Sequence, residues 1–505
     1  MKKLFGNSIV ESILRVLSGG VGFIFLLMGL GFLIIPEVLA MNLFLEPARA
    51  VGINSLRGDL GALFLGMSFF CLMGTFSSYR SLLFVPIVFL SLVVTGRLIG
   101  YLVDDTPIVL VGSLVSELVF LTILILSFLS FSLNSESQKN SLELKTVFNK
   151  QFLIIIGIII LVIVGAFRAE RQIGNFLWTK FTGRQMNQSR ISNLPDGLHV
   201  GLAGTGAPLP DTKRTGVCTF VLAGEHLFIV DTGPGSTKNL ELMRVPLGNI
   251  EAVLFTHLHS DHIGALGELM LKSWTSGARK KPLKILGPKG IDTVVQGFNQ
   301  AYSIDKGFRF AHHGDTVAPL EGNGGSPEII EGFDENKAVI IFQKNDLKVT
   351  AFLVDHSPAD PALGFRFDYK GRSVVISGDT LPSESLRNNS QNVDLLLHEA
   401  LDPEMLGVLN LEANKNNQKV LEKVSADILS YHTFPEEAAR IAQDANIGHL
   451  VFHHIIPPTP IAILHSTFLG DSKKYYKGPI TFGVEGMLFS LPPNSKEILK
   501  KWFLN

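Results

Sequence analysis

The sequence predicts an all-α membrane-spanning bundle followed by an α/β domain in one chain of 505 residues. Mean hydropathy is +0.31, which is high for a soluble protein, although 18% of the residues are charged. The apolar residues are concentrated in the first 170 positions. After Pro195, short segments rich in β-branched and aromatic residues alternate with amphipathic helical segments, which is typical of an α/β domain. The length also favours two or more domains.

Five apolar runs account for the predicted bundle, and they lie at about 18–40, 60–76, 81–103, 107–131 and 152–167. Most of them reach the roughly 17–25 residues that a helix needs to cross a bilayer, and the runs at 60–76 and 152–167 are the shortest. A secretory signal would be one short apolar run with a cleavage site. The runs therefore predict an integral membrane protein with the lipid bilayer as a partner, and buried helices of a soluble protein are the alternative.

Changes in composition along the chain predict five parts. In chain order they are a four-helix transmembrane region at 1–133, a polar loop at 134–151, a fifth transmembrane helix at 152–168, a polar linker at 169–194 and a globular domain at 195–505.

The distribution of Lys and Arg predicts how the chain is oriented, because cytoplasmic loops of membrane proteins are enriched in these residues. With the N-terminus inside, the inner segments carry Lys2, Lys3, Arg80, Lys139, Lys145 and Lys150. The outer loops carry Arg49 and Arg57. Five crossings then place the globular domain outside the cytoplasm. Arg168 and Arg171 argue against this orientation, and one miscounted span would reverse it.

Two ionisable residues lie within the apolar runs, Arg97 in the third and Glu117 in the fourth. Charges in a membrane are costly and usually pair inside the bundle. The turn at Asp104-Asp105 would bring the two helices together antiparallel, so we expect Arg97 and Glu117 to meet. A structural ion pair is the simpler interpretation, and a ligand or ion site within the bundle is the alternative.

The segment His257-Leu-His259-Ser-Asp261-His262 carries the chemistry of the globular domain, because four potential metal ligands follow directly after an apolar strand. In an extended chain His257 and His259 point the same way and can share one ion, whereas Asp261 and His262 in the next turn can face a second. Imidazole and carboxylate ligands suit zinc and similar metals. Only two of the residues are cysteines, so metal ligands must come from His, Asp or Glu.

These residues also carry a family resemblance. The HxHxDH segment, preceded by Asp231-Thr-Gly233-Pro-Gly235, resembles the metallo-β-lactamase superfamily. Gly204-Thr-Gly206-Ala-Pro208, together with Arg214, is similar to the ribonuclease Z and arylsulfatase-like branch. The resemblance covers about residues 197–490. It implies an αββα sandwich with two metal ions at one edge, between the two sheets.

The resemblance also implies a complete set of ligands. One ion would be held by His257, His259 and His356, the other by Asp261, His262 and His454, and Asp379 would bridge the two ions. His453 is the alternative to its neighbour His454. Zinc is the expected metal, and manganese or iron would also suit these ligands. Asp231 is expected to support the site through hydrogen bonds.

Two further residues are expected to act on the substrate or to support the residue that does. His432, in Tyr431-His432-Thr433, matches a substrate-facing His-Ser/Thr element of the family, and a capping or surface histidine is the alternative. Glu399, in His398-Glu399-Ala400, is predicted to be a hydrogen-bond partner of His432 and not a metal ligand. His312 and His313 are expected at the surface in a polar turn.

The resemblance implies a metal-dependent hydrolase. Two ions would make hydroxide from a shared water near neutral pH, Asp261 would help to orient it, and His432 would donate a proton to the departing ester oxygen. We favour a membrane-anchored hydrolase of small phosphodiesters or sulfate esters. The first alternative is a nuclease, including one that processes tRNA 3′ ends as ribonuclease Z does. The second is a membrane receptor or sensor without catalysis.

Three features make nucleic acid the less favoured substrate. The net charge is −1, and the globular domain shows no basic stripe of the kind that RNA binding favours. There is no Gly/Pro-rich projecting arm to hold tRNA. The stretch Leu401–Ser430 is predicted to be a helical insertion that covers the site and restricts it to small esters.

Overall fold

The structure is a computed structural model that describes residues 8–36, 39–40, 43, 49–76, 80–103, 111–131, 170–186, 191, 194–333, 338–460 and 463–504. Contacts divide the chain into two compact units, Met1–Asn187 and Gln188–Asn505, and each unit is described by itself. The predicted polar loop at 134–151 and the predicted fifth transmembrane helix at 152–168 lie outside the described residues. The predicted domain boundaries therefore stay predictions.

The described part of the first unit is helical. Its α-helices are α1 (Ser8–Ile34), α2 (Arg49–Ser55), α3 (Ala62–Phe76), α4 (Phe84–Val103), α5 (Val111–Ser130) and α6 (Glu170–Met186). A π-helical turn, Leu56–Gly61, joins α2 to α3, and a 3₁₀ turn, Arg80–Leu83, precedes α4. Helix α6 falls within the segment that the sequence predicts as a linker.

Four helical segments are long and apolar enough to cross a membrane, namely Ile9–Ile34, Gly52–Phe76, Arg80–Ile99 and Ser113–Ser130. The second has 25 residues and is longer than the apolar run at 60–76, because the helix continues backward through the π-helical turn. These helices suit the predicted transmembrane region by their length and composition.

Small residues allow α1 and α3 to pack closely. A Cβ atom added at Gly29 of α1 would lie 2.7 Å from Cγ of Leu65 in α3, so this helix crossing requires glycine there. Phe25 and Cys71 are buried in the same cluster of apolar side chains. Close contact at small residues is a common way for helices to associate within a membrane.

Arg97 and Glu117 form the predicted ion pair. Nε of Arg97 lies 2.8 Å from both carboxylate oxygens of Glu117 and donates to them, and the pair joins α4 to α5. The expectation that the two residues meet is confirmed. The geometry suits a structural pair, because each charge is satisfied by the other.

Removing one charge of this pair is expected to destabilise the bundle. Glu117→Gln leaves Arg97 without its counter-ion, and we expect a loss of about 1 kcal/mol in the free energy of unfolding. The double variant Arg97→Gln/Glu117→Gln should lose less than the sum of the two single variants. Thermal unfolding of the full-length protein in detergent, with Ser116→Ala as control, measures this coupling. Additive effects would show that the pair does not stabilise the bundle.

The second unit is built on two β-sheets. Its strands are β1 (Leu198–Gly204), β2 (Cys218–Ala223), β3 (His226–Val230), β4 (Ile250–Leu254), β5 (Leu283–Gly287), β6 (Gly325–Ile329), β7 (Val339–Lys344), β8 (Leu347–Val354), β9 (Ala362–Tyr369), β10 (Arg372–Ile376), β11 (Leu395–Leu401), β12 (His449–Ile456), β13 (Ile480–Phe482), β14 (Met487–Leu491) and β15 (Leu499–Trp502). The eight-stranded sheet has the order β15-β14-β1-β2-β3-β4-β5-β6, and the seven-stranded sheet has the order β13-β12-β11-β10-β9-β8-β7.

Helices flank the two sheets or lie in the connections between strands. They are α7 (Ser236–Leu242), α8 (Ser260–Ile263), α9 (Leu266–Gly277), α10 (Ile291–Ala301), α11 (Ser303–Val317), α12 (Glu384–Asn389), α13 (Pro403–Lys415), α14 (Lys419–Asp427), α15 (Pro435–Asp444), α16 (Ile463–Leu469) and α17 (Ser472–Tyr475). One apolar core lies between the sheets and includes Phe228, Phe365 and Phe489. Two further cores join each sheet to its helices. The second unit is therefore an αββα sandwich.

The predicted secondary structure of this domain is confirmed at most positions. Short β-rich segments after Pro195 form strands as expected: HVGLAG, TFVLAG, HLFIV, GFRFDY and SVVI are β1, β2, β3, β9 and β10, and the amphipathic segment EEAARIAQDA forms α15. The stretch Leu401–Ser430 is helical as predicted, since α13 and α14 form a helical hairpin there (residues 403–427). His312 and His313 are exposed but lie on α11, not in a turn.

Candidate metal centre

The loop after β4 supplies four of the polar side chains in the candidate centre. His257 lies three positions after the end of β4, and Asp261 and His262 lie in the short helix α8. These three side chains are buried, whereas His259 is exposed. The main chain of this loop contacts Gly233 closely. A Cβ atom at Gly233 would lie 2.4 Å from the main-chain oxygen of Asp261.

The second sheet supplies the remaining polar side chains. Strands β8, β10, β11 and β12 run in the same direction, so their carboxyl ends meet at one edge of the sheet. His356 follows β8, Asp379 follows β10 and His454 lies near the end of β12. The turn before Asp379 needs glycine, because Gly378 has a φ of +63° and its Cβ would lie 2.6 Å from the oxygen of Leu363.

A β-bulge selects His454 over His453. The register pairs Glu399 with His453 and Ala400 with Ile455, so His454 is the extra residue on β12. Its φ of +47° lies in the left-handed region, which turns its ring out of the strand pattern. His453 is buried, and neither of its ring nitrogens has a hydrogen-bond partner within the described chain. The structure therefore brings His454, and not His453, to the cluster.

Three histidine nitrogens converge in a first group. Nδ1 of His259 lies 2.9 Å from Nε2 of His257 and 3.3 Å from Nε2 of His356. Ligands bonded to one tetrahedral zinc ion at roughly 2.0–2.1 Å lie about 3.3 Å apart. The three nitrogens are therefore spaced as ligands of one ion would be.

A second group contains Asp261, His262 and His454. Oδ2 of Asp261 lies 3.2 Å from Nε2 of His454 and 3.5 Å from Nε2 of His262. The Nε2 atom of His262 is buried and has no hydrogen-bond partner among the described residues. Because buried polar atoms are nearly always satisfied, this nitrogen is suited to binding a metal ion.

Asp379 lies between the two groups. Its Oδ2 atom is 3.3 Å from Nε2 of both His262 and His454, and 3.9 Å from Nε2 of both His257 and His356. Among the described residues it is the carboxylate in contact with both groups. The residues present therefore fit two divalent ions with Asp379 between them.

Other parts of the chain orient the ligands. Asp231 accepts hydrogen bonds from the main-chain N–H and the hydroxyl of Thr256, at 2.9 and 2.8 Å, and lies 2.9 Å from Nδ1 of His262. Nδ1 of His356 lies 2.9 Å from the main-chain oxygen of Tyr431 and can donate to it. These contacts turn Nε2 of both histidines toward the cluster.

The electrostatics of the site favour positive charge at its centre. Burial and then His262 hold the pKa of His257 well below its ordinary value, so this ring is neutral, as a metal ligand must be. Burial opposes ionisation of Asp379, but the surrounding imidazoles, led by His454, outweigh it and hold the pKa of Asp379 well below its usual range. The same arrangement works in the other direction at His262, where burial opposes a charge but Asp379, followed by Asp231, outweighs it and raises the pKa well above its ordinary value. A buried carboxylate that stays ionised suits a cation.

His432 and Glu399 form a buried pair beside the metal ligands. Oε2 of Glu399 lies 3.2 Å from Nδ1 of His432, and the ring of His432 is 5.1 Å from that of His356. The other oxygen of Glu399 accepts from the main-chain N–H of Thr433 at 2.9 Å. Burial opposes a charge on His432, but Glu399 outweighs it and raises the pKa of His432. The two residues are therefore the predicted neighbours, at the distance of an ion pair, but the two facing atoms do not meet hydrogen-bond geometry.

Three residues of the site were not singled out by sequence reasoning. Thr256 links Asp231 to the loop, Thr433 holds Glu399, and Tyr431 contacts His356 and His432. Each is a direct neighbour of a residue that sequence reasoning did single out. The sequence signal that could have identified them is their position beside His257 or His432.

Comparison with known proteins places the chain in a family. A family model for the metallo-beta-lactamase superfamily matches residues 211–426. The ribonuclease Z of Mycolicibacterium gilvum (strain PYR-GCK) is 33% identical over 262 residues, which cover 52% of this chain and 85% of that protein. The chain therefore belongs to the metallo-beta-lactamase superfamily. Within that superfamily it is a homologue of ribonuclease Z over its C-terminal half.

A second relative agrees with this assignment. The ribonuclease Z of Mycobacterium sp. (strain KMS) is 35% identical over 264 residues, covering 52% of this chain and 85% of that protein. The crystal structure of the short form of human tRNase Z is 20% identical and covers 58% of this chain and 99% of that one, with a TM-score of 0.43. The two ribonuclease Z sequences, 33% and 35% identical to this chain, support the ribonuclease Z side of the resemblance, and neither supports its arylsulfatase side.

Asp231→Ala is expected to weaken metal binding without removing a ligand. The variant frees Nδ1 of His262 and the Thr256 side chain, and loss of such supporting contacts costs about 10–100-fold in metal affinity. Competition with a chromophoric zinc chelator measures the change, with the exposed Asp315→Ala as control. Unchanged zinc affinity in Asp231→Ala would show that Asp231 does not orient His262.

Proposed function

We propose that this protein is a membrane-anchored phosphodiesterase that uses two divalent metal ions, with zinc expected. The observation that carries the proposal is the convergence of six ligand side chains around Asp379. The residues proposed as ligands are His257, His259 and His356 for one ion, Asp261, His262 and His454 for the other, and Asp379 for both. Bound ions would make a water molecule nucleophilic near neutral pH and stabilise negative charge on the phosphate.

The chain's own residues account for orientation and proton transfer. Asp231 and the main chain at Tyr431 hold His262 and His356 in the required orientation. Glu399 keeps His432 protonated, and His432 donates that proton to the ester oxygen as it leaves. Asp261 would orient the attacking water from within the second ligand group, where its Oδ2 atom lies 3.2 Å from Nε2 of His454.

Membrane anchoring is part of the proposal and rests on the four apolar helices of the first unit. The placement of the catalytic domain outside the cytoplasm stays a prediction from the Lys and Arg distribution. Protease treatment of intact and of permeabilised cells tests it. Digestion of the catalytic domain in intact cells would support the predicted orientation, and digestion only after permeabilisation would reverse it.

RNA is the second candidate substrate, and the identity of 33% to a ribonuclease Z is the observation that favours it. This identity favours nucleic acid, whereas the net charge of −1 and the lack of a basic stripe in the sequence favour small esters. Against it, the helical hairpin lies close to the site, since Tyr431 and Phe434 pack on the cluster formed by Leu401, Leu406 and Ile428. We therefore place small phosphodiesters first and tRNA 3′ ends second.

One assay separates these candidates. Full-length protein in detergent, loaded with zinc or manganese, is offered bis-p-nitrophenyl phosphate, p-nitrophenyl sulfate and a tRNA precursor in parallel, with Asp379→Ala as the control. Turnover of the phosphodiester alone would support the proposal. Cleavage at the tRNA 3′ end would make the protein a ribonuclease. Turnover of the sulfate ester alone would make it a sulfatase. No turnover of any substrate by loaded protein would contradict the enzymatic function.

A further inference from the structure

Tyr431 occupies a position that the proposed chemistry leaves unassigned. It follows the helical hairpin and directly precedes His432, and its side chain is only partly buried. One side of the residue packs on the apolar cluster of Leu401, Leu406, Ile428 and Ile456. The hairpin therefore holds the ring in a defined place and leaves part of it accessible.

The ring borders both the metal ligands and the proposed acid. Its centroid lies 5.2 Å from that of His356 with an interplanar angle of 79°, and 5.0 Å from that of His432 at 46°. His356 belongs to the first ligand group, and His432 is the proposed donor to the leaving oxygen. The group attached to that oxygen must therefore lie close to the Tyr431 ring.

The orientation of His356 does not depend on the Tyr431 ring. Nδ1 of His356 lies 2.9 Å from the main-chain oxygen of Tyr431, and that contact survives any change of the side chain. A tyrosine phenol is neutral near pH 7, so the ring carries no charge. A neutral, partly exposed aromatic ring among imidazoles and carboxylates is a suitable contact for an apolar part of the substrate.

We infer that Tyr431 is a specificity-determining residue that contacts the organic group of the ester and favours phosphate esters whose ester oxygen bears an aromatic group. The inference rests on the proposed function for the identity of the reacting bond. Aromatic pairs in edge-on or offset contact prefer one another over aliphatic partners. The preference is expected to lie in binding and to leave metal content unchanged.

Binding of two non-hydrolysable analogues tests this inference without relying on turnover. The monomethyl esters of benzylphosphonate and ethylphosphonate keep the single charge of a phosphodiester, carry carbon in place of one ester oxygen and differ in the aromatic ring. Isothermal titration of zinc-loaded, full-length protein in detergent gives the ratio of their dissociation constants. The wild type should prefer the benzylphosphonate ester, Tyr431→Phe should keep this preference, and Tyr431→Leu should reduce it about fivefold.

Two outcomes would overturn the inference. The first is an unchanged ratio in Tyr431→Leu, which would mean that the ring does not contact the ligand. The second is loss of zinc from Tyr431→Leu, which would make the ring a support for His356. Neither outcome depends on catalysis, so failure of this inference is distinguishable from failure of the proposed phosphodiesterase, which appears as absent turnover in the wild type.

Discussion

Asp379→Asn is expected to lose both metal ions and to reduce phosphodiester turnover by about three orders of magnitude or more. Asp379 contributes one oxygen that lies 3.3 Å from ring nitrogens of His262 and His454 and 3.9 Å from those of His257 and His356. A single substitution at this position therefore affects both proposed ligand groups, whereas substitution of a histidine affects one.

The physical reason is the loss of the central negative charge. Asn is close to Asp in size, but its amide is neutral and offers one acceptor oxygen and an NH2 group that only donates. Two cations held close together by imidazoles would then repel each other without a carboxylate between them. We expect the ions to leave, although the fold persists.

Metal analysis and kinetics on the same preparation check this prediction. The zinc content of Asp379→Asn should fall from two equivalents toward zero. Asp368→Asn is the control, because Asp368 lies on β9, pairs with Arg366 and is not a proposed metal ligand. Circular dichroism shows whether the fold is retained. Retained turnover at full metal content would contradict the assignment of Asp379 between the two ions.

The contiguous part of the site was the part that sequence could predict. His257, His259, Asp261 and His262 lie within six residues after an apolar strand, so local chain geometry suffices to bring them together. The strands and helices could be predicted in the same way, because each shows its own hydrophobic periodicity within a short stretch of sequence. The αββα arrangement required the family resemblance, since the pairing of β1 with β14 joins residues almost 300 positions apart.

The other features of the site depend on tertiary geometry, which local sequence patterns do not predict. The choice between His453 and His454 is made by a bulge and a positive φ, and both neighbours are histidine, so composition gave no distinction. The contact of Tyr431 with His356 joins residues 75 positions apart. The second candidate span is longer than its apolar run because it includes a π-helical turn. That turn contains Arg57 and Asp59, and a search for apolar residues stops at such charged residues.

His432→Ala is expected to lower kcat by about 10²–10⁴-fold and to leave metal content unchanged. His432 is buried beside His356 and is held by Glu399, but it belongs to neither proposed ligand group around Asp379. If it donates the proton to the departing oxygen, the loss should depend on the leaving group. Esters of p-nitrophenol depart readily without a proton and should be affected less than esters of phenol.

The pH dependence gives a second, independent test of the same pair. Glu399 raises the pKa of His432, so the protonated acid persists above its ordinary range and is lost as pH rises through the raised value. Activity should therefore fall on the alkaline side of the profile. Glu399→Gln removes the attraction and leaves burial, which lowers the pKa of His432, so the alkaline limb should move to lower pH.

Glu399→Gln is a suitable variant because it preserves the other contacts of the side chain. Gln keeps an oxygen that can accept from the main-chain N–H groups of Thr433 and Thr380, so the loop that carries His432 is expected to stay in place. The exposed His312→Gln on α11 is the matched control. Profiles of kcat against pH for phenyl and p-nitrophenyl phosphodiesters distinguish the possible roles. An alkaline limb that does not move in Glu399→Gln, together with equal losses for both esters in His432→Ala, would mean that His432 positions the substrate and does not donate the proton.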